Sequence, residues 1–208
     1  SAFVHNGLDP AEYGPPELAQ SGRNLVFLAK AAWRVKNVRG AIRVARRAGL
    51  PLDVLGGRRL NFKMGFRFTL DPNARFHGMV GGEKKNALLR AARGLVFPVL
   101  WEEPFGIAVI EALYFGVPVF ATPYGSLPEL VPAQAGFLSN SESALAEAAH
   151  AAYDRRAIHE WWRSRFTHVH MAKKYLACYE RILGGETLHP AEIRAPAVRV
   201  PELAAWTR

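Results

Sequence analysis

"LVFPVLWEEPFGIAVIEALYFGVPVFATPYGSLPEL", Leu95 to Leu130, runs from one apolar stretch through an acidic loop and a helical pattern into a second apolar stretch. Neither "LVFPVL" (95–100) nor "VPVFAT" (117–122) alternates polar with apolar residues, so both read as strands covered on two faces. "GIAVIEALYFG" (106–116) between them reads as a helix. Strand, helix, strand in this order is the repeating piece of a parallel sheet flanked by helices.

The same alternation extends in both directions. "NLVFLAK" (24–30), "PLDVLGG" (51–57) and "ARFHGMV" (74–80) read as strands before it, and "GFLSN" (136–140) as a strand end after it. "NVRGAIRVARRAGL" (37–50) places Val38, Ala41, Ile42, Ala45 and Ala48 at helical spacing, with Asn37 as N-cap and Gly49 as C-cap. Further helices are expected over "GEKKNALLRAARG" (82–94), "LPELVPAQ" (127–134) and "SESALAEAAHAAYD" (141–154), the last opened by a serine cap. "FKMGFRFTLDPN" (62–73) is ambiguous between strand and loop.

The expected fold is α/β, a doubly wound parallel sheet over residues 24–153. Ligands of such sheets bind at the carboxyl ends of the strands. Residues 1–23, rich in Gly and Pro, read as a linker with turns. Residues 154–185 read as a basic, aromatic-bearing helical extension, and 186–208 as an irregular tail, poorly ordered or draped on the surface. The opening "FVHNGLD" reads as the exit from a strand or linker, and the chain as a piece of a longer protein.

Composition narrows the classes. The chain has 208 residues, half of them hydrophobic, enough for one good core. No apolar run reaches the roughly 18 residues of a membrane span. The single Cys178 rules out an internal disulfide framework and makes a reducing cytoplasm the expected location. A net charge of +9 points to phosphates, whether of nucleic acid, anionic lipid or nucleotide.

Glu103 and Glu111 stand out as carboxylates in an apolar run. Glu103 falls at a strand's carboxyl end, and Phe105-Gly106 opens a helix whose first N–H groups favour anionic or hydroxyl oxygens. Glu111 lies inside that helix among Ile107, Val109, Ile110, Ala112 and Leu113, where a carboxylate is costly without partners. Two such groups facing one crevice can accept the paired hydroxyls of a sugar or ribose. Equally, they read as a helix-terminal charge and a structural hydrogen-bonder. Lys30 and Lys36 flank a strand end and a helix start, a placement suited to a diphosphate, although most lysines are simply solvated. Gly56-Gly57 resembles the close-approach glycines of phosphate-binding turns, and Gly125-Ser126 forms a tight turn that could face a phosphate or be a turn only. Neither a dinucleotide fingerprint nor a Walker loop is present. The seven histidines show no metal-ligand spacing, so no metal site is expected.

Taken together, "FLAK…VKN", "VLGG", "ARFHGMV", "LVFPVLWEEPFGIAVIEALYFGVPVFATPYGSLPELV" and "GFL" resemble, in order, the retaining GT-B glycosyltransferases of family 4. The E-x7-E element, with "PFG" after its first Glu and "G-x-P-V" after its second, is the most specific part, and "AKKYLACYERIL" looks like the family's closing helix. The resemblance covers residues 3–150. It implies the Rossmann-like, C-terminal half of a GT-B enzyme, binding the donor, with the acceptor domain missing and the isolated piece inactive. It implies transfer of a hexose from a UDP- or GDP-linked sugar to a glycan or lipid-linked acceptor, with retention and without a metal or other cofactor, as in bacterial polysaccharide biosynthesis.

By the same resemblance Glu111 holds the ribose hydroxyls, and Glu103 contacts the transferred sugar with the N–H groups of Phe105, Gly106 and Ile107. Lys30 and Lys36 bind the diphosphate, Met79 and Val80 lie beside the base, and Gly56, Gly125 and Ser126 border the phosphates and sugar. Two departures stand out. Lys30 replaces the family's more usual Arg, and the basic insert "RRLNFKMGFRF" (58–68) follows a reduced glycine pair. Arg58, Arg59, Lys63 and Arg67 of that insert are expected to be solvated rather than to cover the cleft.

Two other classes compete. One is a GT-B nucleotide-sugar 2-epimerase. The other is a basic nucleic-acid binder, in which Trp161, Trp162 and Phe166 of "RRAIHEWWRSRF" would stack bases. A basic face could also hold the enzyme peripherally at anionic lipid on the inner face of the plasma membrane.

Overall fold

The computed structural model describes residues 3–19, 22–62, 67–189 and 203–207. Six parallel strands form the main sheet: β1 (Leu25–Leu28), β2 (Leu52–Leu55), β5 (Ala74–Phe76), β6 (Gly94–Phe97), β7 (Val119–Ala121) and β8 (Gly136–Leu138). Their spatial order is β5-β2-β1-β6-β7-β8. Every residue of β2, β6 and β7 is buried, which is why those sequences show no alternation. Two remaining strands, β3 (Leu60–Asn61) and β4 (Arg67–Phe68), pair antiparallel, β4 inside the segment that sequence left ambiguous and β3 just before it.

Helices cover both faces. On one side α1 (Val38–Arg47) packs on α5 (Glu142–Ala148) over a core of Leu25, Phe27, Val54 and Phe120. On the other, α2 (Gly82–Arg90), α3 (Ile107–Tyr114) and α6 (Arg155–Arg163) enclose Val26, Leu55, Leu95, Phe97, Leu113 and Trp162. A short α4 (Leu127–Leu130) precedes β8, and α7 (His168–Leu183) closes the helical part with no buried residue. Among the described residues no helix is long and apolar enough to cross a membrane.

Asn37 shows how a single residue sets the start of α1. Its backbone is left-handed, φ 53°, a conformation Asn tolerates better than most side chains. Its Oδ1 accepts from the Gly40 N–H at 3.0 Å, while its Nδ2 donates to the Pro98 carbonyl at 2.9 Å. The cap therefore ties the helix to the end of β6. Asn37→Ala is expected to lower unfolding free energy by about 2–3 kcal/mol, from the lost cap and the strained backbone. Asn37→Gly, which relieves the strain, should cost less. Urea titrations of the two variants check this ordering.

The extension consists of two helices, α6 and α7. Ser164 to Thr167 separate them, with Thr167 capping α7 through a bond from the His170 N–H at 3.2 Å. At the break Leu8 exchanges backbone bonds with Phe166 and His168, so the opening segment is stitched to the domain. Trp162 and Phe166 are each 1% exposed, and the Trp161 indole donates to the Leu130 carbonyl. Trp162 and Phe166 therefore belong to the core, and the partly buried Trp161 carries the Arg165 guanidinium over its ring, 4.0 Å from the centroid.

The insert also corrects an expectation. Arg58 is exposed, but Arg59 is not solvated. Its guanidinium donates to the carbonyls of Asp71 (2.9 Å) and Ala74 (2.5 Å) and lies over the Phe76 ring. It pins the β3–β4 excursion to edge strand β5. Lys63, the Arg67 side chain and tail residues 190–202 lie outside the described residues.

Candidate functional site

The strand order places β1 beside β6, with the chain winding outward in opposite directions from that pair. Crossover helices leaving opposite faces open a crevice above the carboxyl ends there. Lys30 follows β1, Gly56 follows β2, Met79 and Val80 follow β5, Glu103 follows β6, and Gly125 and Ser126 follow β7. Lys36 precedes α1 at the same edge, and Glu111 rises from α3. Sequence reasoning thus gathers its candidates on five adjacent strand ends.

Glu103, 7% exposed, has one oxygen fixed. Its Oε2 receives Lys36 Nζ at 2.6 Å and the Trp101 indole N–H at 2.8 Å. Lys36 Nζ also lies 4.5 Å from the Trp101 ring centroid. No described residue donates to Oε1.

Glu111, also 7% exposed, repeats the design on α3. Its Oε1 accepts from the Tyr13 hydroxyl at 3.0 Å and from Lys85 Nζ, which lies 5.0 Å from the centre of the Tyr13 ring. Burial, and behind it the Glu111 carboxylate, pushes the Tyr13 phenol far above its usual range, so it remains a donor at any working pH. Again no described residue donates to the second oxygen, Oε2. Each carboxylate is held by one lysine and one aromatic donor, and each keeps one oxygen to accept a hydroxyl.

Between them Gly106, in a left-handed conformation (φ 95°), caps α3 without a side-chain bond, leaving the first N–H groups of the helix directed out of its end. Ile107 is 45% exposed at that end. The Phe105 ring sits against His5 and Phe166, which anchors the loop to the opening segment. Ser126 Oγ donates to the carbonyls of Glu103 (3.0 Å) and Phe105 (2.6 Å), and the Ser126 N–H to Glu103 (2.9 Å). The turn expected to border a ligand is therefore also what shapes the Glu103 loop.

Gly56 has a structural reason of its own. At φ 116°, its Cα approaches β1 so closely that a Cβ would lie 2.1 Å from the Ala29 carbonyl. Its N–H donates to Gly78 and its carbonyl accepts from Ala31, coupling the Lys30 loop to the Met79–Val80 loop. Met79 is 79% exposed, whereas Val80 packs partly against the core. Lys30 is exposed, its Nζ 5.3 Å from the Trp33 ring centroid.

Three residues of the site escaped sequence reasoning. Trp101 could have been found from its place two residues before Glu103. Lys85 is one of two adjacent lysines on an amphipathic helix, and Tyr13 lies in a Gly/Pro-rich stretch, so neither carries a local mark.

The chain matches the family model described as "Glycosyl transferases group 1" over residues 20–155. No curated protein matches it in sequence. Among solved structures it is similar to AviGT4, a glycosyltransferase involved in avilamycin A biosynthesis, with TM-score 0.75 and 22% identity over 88% of this chain and 58% of that one. It is similar to the sucrose-phosphate synthase of Thermosynechococcus elongatus, with TM-score 0.66 and 20% identity over 88% and 52% of the two chains. A third is Anabaena Alr3699/HepE in complex with UDP and glucose, with TM-score 0.68 and 16% identity over 86% and 56%. The chain thus spans little more than half the length of each. The fold is the Rossmann-like α/β fold of GT-B glycosyltransferases.

Proposed function

The chain belongs to the glycosyl transferases group 1 family, and from that premise we propose that residues 24–153 bind the donor in a GT-B enzyme that transfers a hexose from a nucleoside diphosphate sugar. One observation carries this reading. Two buried carboxylates at the switch point of a doubly wound sheet each have one oxygen fixed and one left to accept. A nucleotide sugar has a pair of ribose hydroxyls at one end and sugar hydroxyls at the other, with a diphosphate between them. Glu111 takes the ribose, Glu103 the sugar, and Lys36 and Lys30 the diphosphate.

The HepE structures hold UDP and UDP-glucose, which makes UDP the first donor nucleotide to try. Retention, independence of metal and a glycan or lipid-linked acceptor are part of the proposal. Cationic lysines can stabilise the departing diphosphate. That diphosphate, on the face the acceptor approaches, can take up the acceptor's proton. The acceptor domain then belongs to the part of the enzyme this chain does not span, and the chain alone binds donor without turning it over.

Thermal unfolding with UDP, GDP, ADP and UDP-glucose, in EDTA, tests the reading. Ligand at 100 times its Kd stabilises by about 2.7 kcal/mol, a rise of roughly 5–10 °C for a chain of this size. One nucleotide should give that shift. No shift with any of them, beside stabilisation by single-stranded DNA at low salt, would return the chain to the nucleic-acid class.

A further inference from the structure

The described end of the chain, residues 203–207, returns to the domain and touches it at successive positions. Trp206 Nε1 donates to Glu142 Oε1 at 2.7 Å. Glu142 is completely buried and already paired with Arg43 at 2.6 Å, so the tail keys into the ion pair that joins α1 to α5. The Thr207 carbonyl accepts from the Glu142 N–H at 3.0 Å, and the Thr207 N–H donates to Asn140 at 2.8 Å. Asn140 Nδ2 donates to the Ala205 carbonyl at 2.8 Å. One position earlier the Ala204 carbonyl accepts from the Tyr124 hydroxyl.

That last contact reaches the site. Tyr124 is 4% exposed and directly precedes the Gly125-Ser126 turn, whose Ser126 binds the backbone of Glu103 and Phe105. Burial, and then the Glu102 carboxylate, raises its phenol above the usual value and keeps it a donor. A chain of bonds therefore runs from the α1–α5 ion pair through Trp206 and Ala204 to Tyr124, Ser126 and the Glu103 loop.

We propose that the C-terminal segment 203–207 is a clamp on the sugar–phosphate side of the crevice, with Trp206 and Tyr124 as positioning residues. What it clamps is a donor pocket only if the proposed function holds. The clamp acts on the Glu103 loop and leaves the Glu111 end, on α3 and held by Tyr13 and Lys85, untouched. It therefore favours ligands that reach the Glu103 loop over ligands that stop at the first phosphate.

The test uses the 208-residue chain, Tyr124→Phe and Trp206→Ala. Tyr124→Phe keeps the ring in place and cuts only the link between tail and loop. Hydrogen exchange at the Ser126 amide, bonded to Glu103, should speed up about 10-fold in both variants while the amides of α3 keep their rates. Affinity for UDP-glucose should fall about 10-fold, with affinity for UMP unchanged within twofold. Unaltered exchange at Ser126 overturns the clamp, whatever the chain binds. UMP and UDP-glucose weakening in step would also overturn it, by making the tail a general stabiliser. Faster exchange in a chain that binds no nucleotide leaves the clamp standing and removes the donor reading instead.

Discussion

Glu111→Ala is expected to weaken UDP binding about 100-fold, near 2.7 kcal/mol. A hydrogen bond to an ionised group is worth about 1.5–3 kcal/mol when its partner is lost from a buried site. The Glu111 carboxylate is buried and offers Oε2 with Oε1 already committed to Tyr13 and Lys85. The same substitution leaves the Lys85 ammonium and the Tyr13 hydroxyl without their acceptor, so a loss of fold stability of about 1–3 kcal/mol should accompany it. Affinity alone would not separate the two effects. 2′-Deoxy-UDP does, because it lacks one hydroxyl that a ribose-binding carboxylate would accept. The original chain should prefer UDP over the deoxy compound by about 10-fold, and Glu111→Ala should show no preference. If calorimetry gives the same preference in both proteins, Glu111 does not hold the ribose and its network serves packing alone.

The parts of the fold that sequence made legible are those where one side chain answers to one local rule. The strands β2, β6 and β7 are covered on both faces, so their apolar runs needed no partner to be recognised. Asn37 caps α1 with its own side chain, and Glu103 and Glu111 carry their spacing within a single loop and helix. What stayed hidden depends on partners distant in the chain or without residue identity. Tyr13 meets Glu111 from 98 positions away. Arg59 binds main-chain carbonyls, which no sequence pattern marks, so it looked like any surface arginine. The break before α7 follows from Phe166 turning into the core and Thr167 taking up a cap, a signal present in "SRFT" but outweighed by the helical residues on either side.

Gly125→Ala is expected to damage both the fold and the site. Gly125 has φ 62°, and Gly49, at the end of α1, has the same value. An alanine in that conformation costs about 1–2 kcal/mol at either position. The surroundings differ. A Cβ at Gly49 meets nothing within 4 Å, whereas at Gly125 it would lie 2.3 Å from the Glu103 carbonyl and 2.4 Å from its amide nitrogen. Both opposing atoms are backbone, so no side chain can rotate away. Either the Gly125 turn or the Glu103 loop must shift, and the Ser126 bonds to Glu103 and Phe105 break with it. Gly49→Ala should therefore lose about 1–2 kcal/mol and keep full UDP-glucose affinity. Gly125→Ala should lose about 3–5 kcal/mol and retain little affinity for UDP-glucose even where it is still folded. Urea unfolding and calorimetry on the pair isolate the contact from the dihedral, since the dihedral is common to both. Equal losses in the two variants would mean that the turn moves freely, and that the Glu103 oxygen meant for the sugar is not held in place by the turn beneath it.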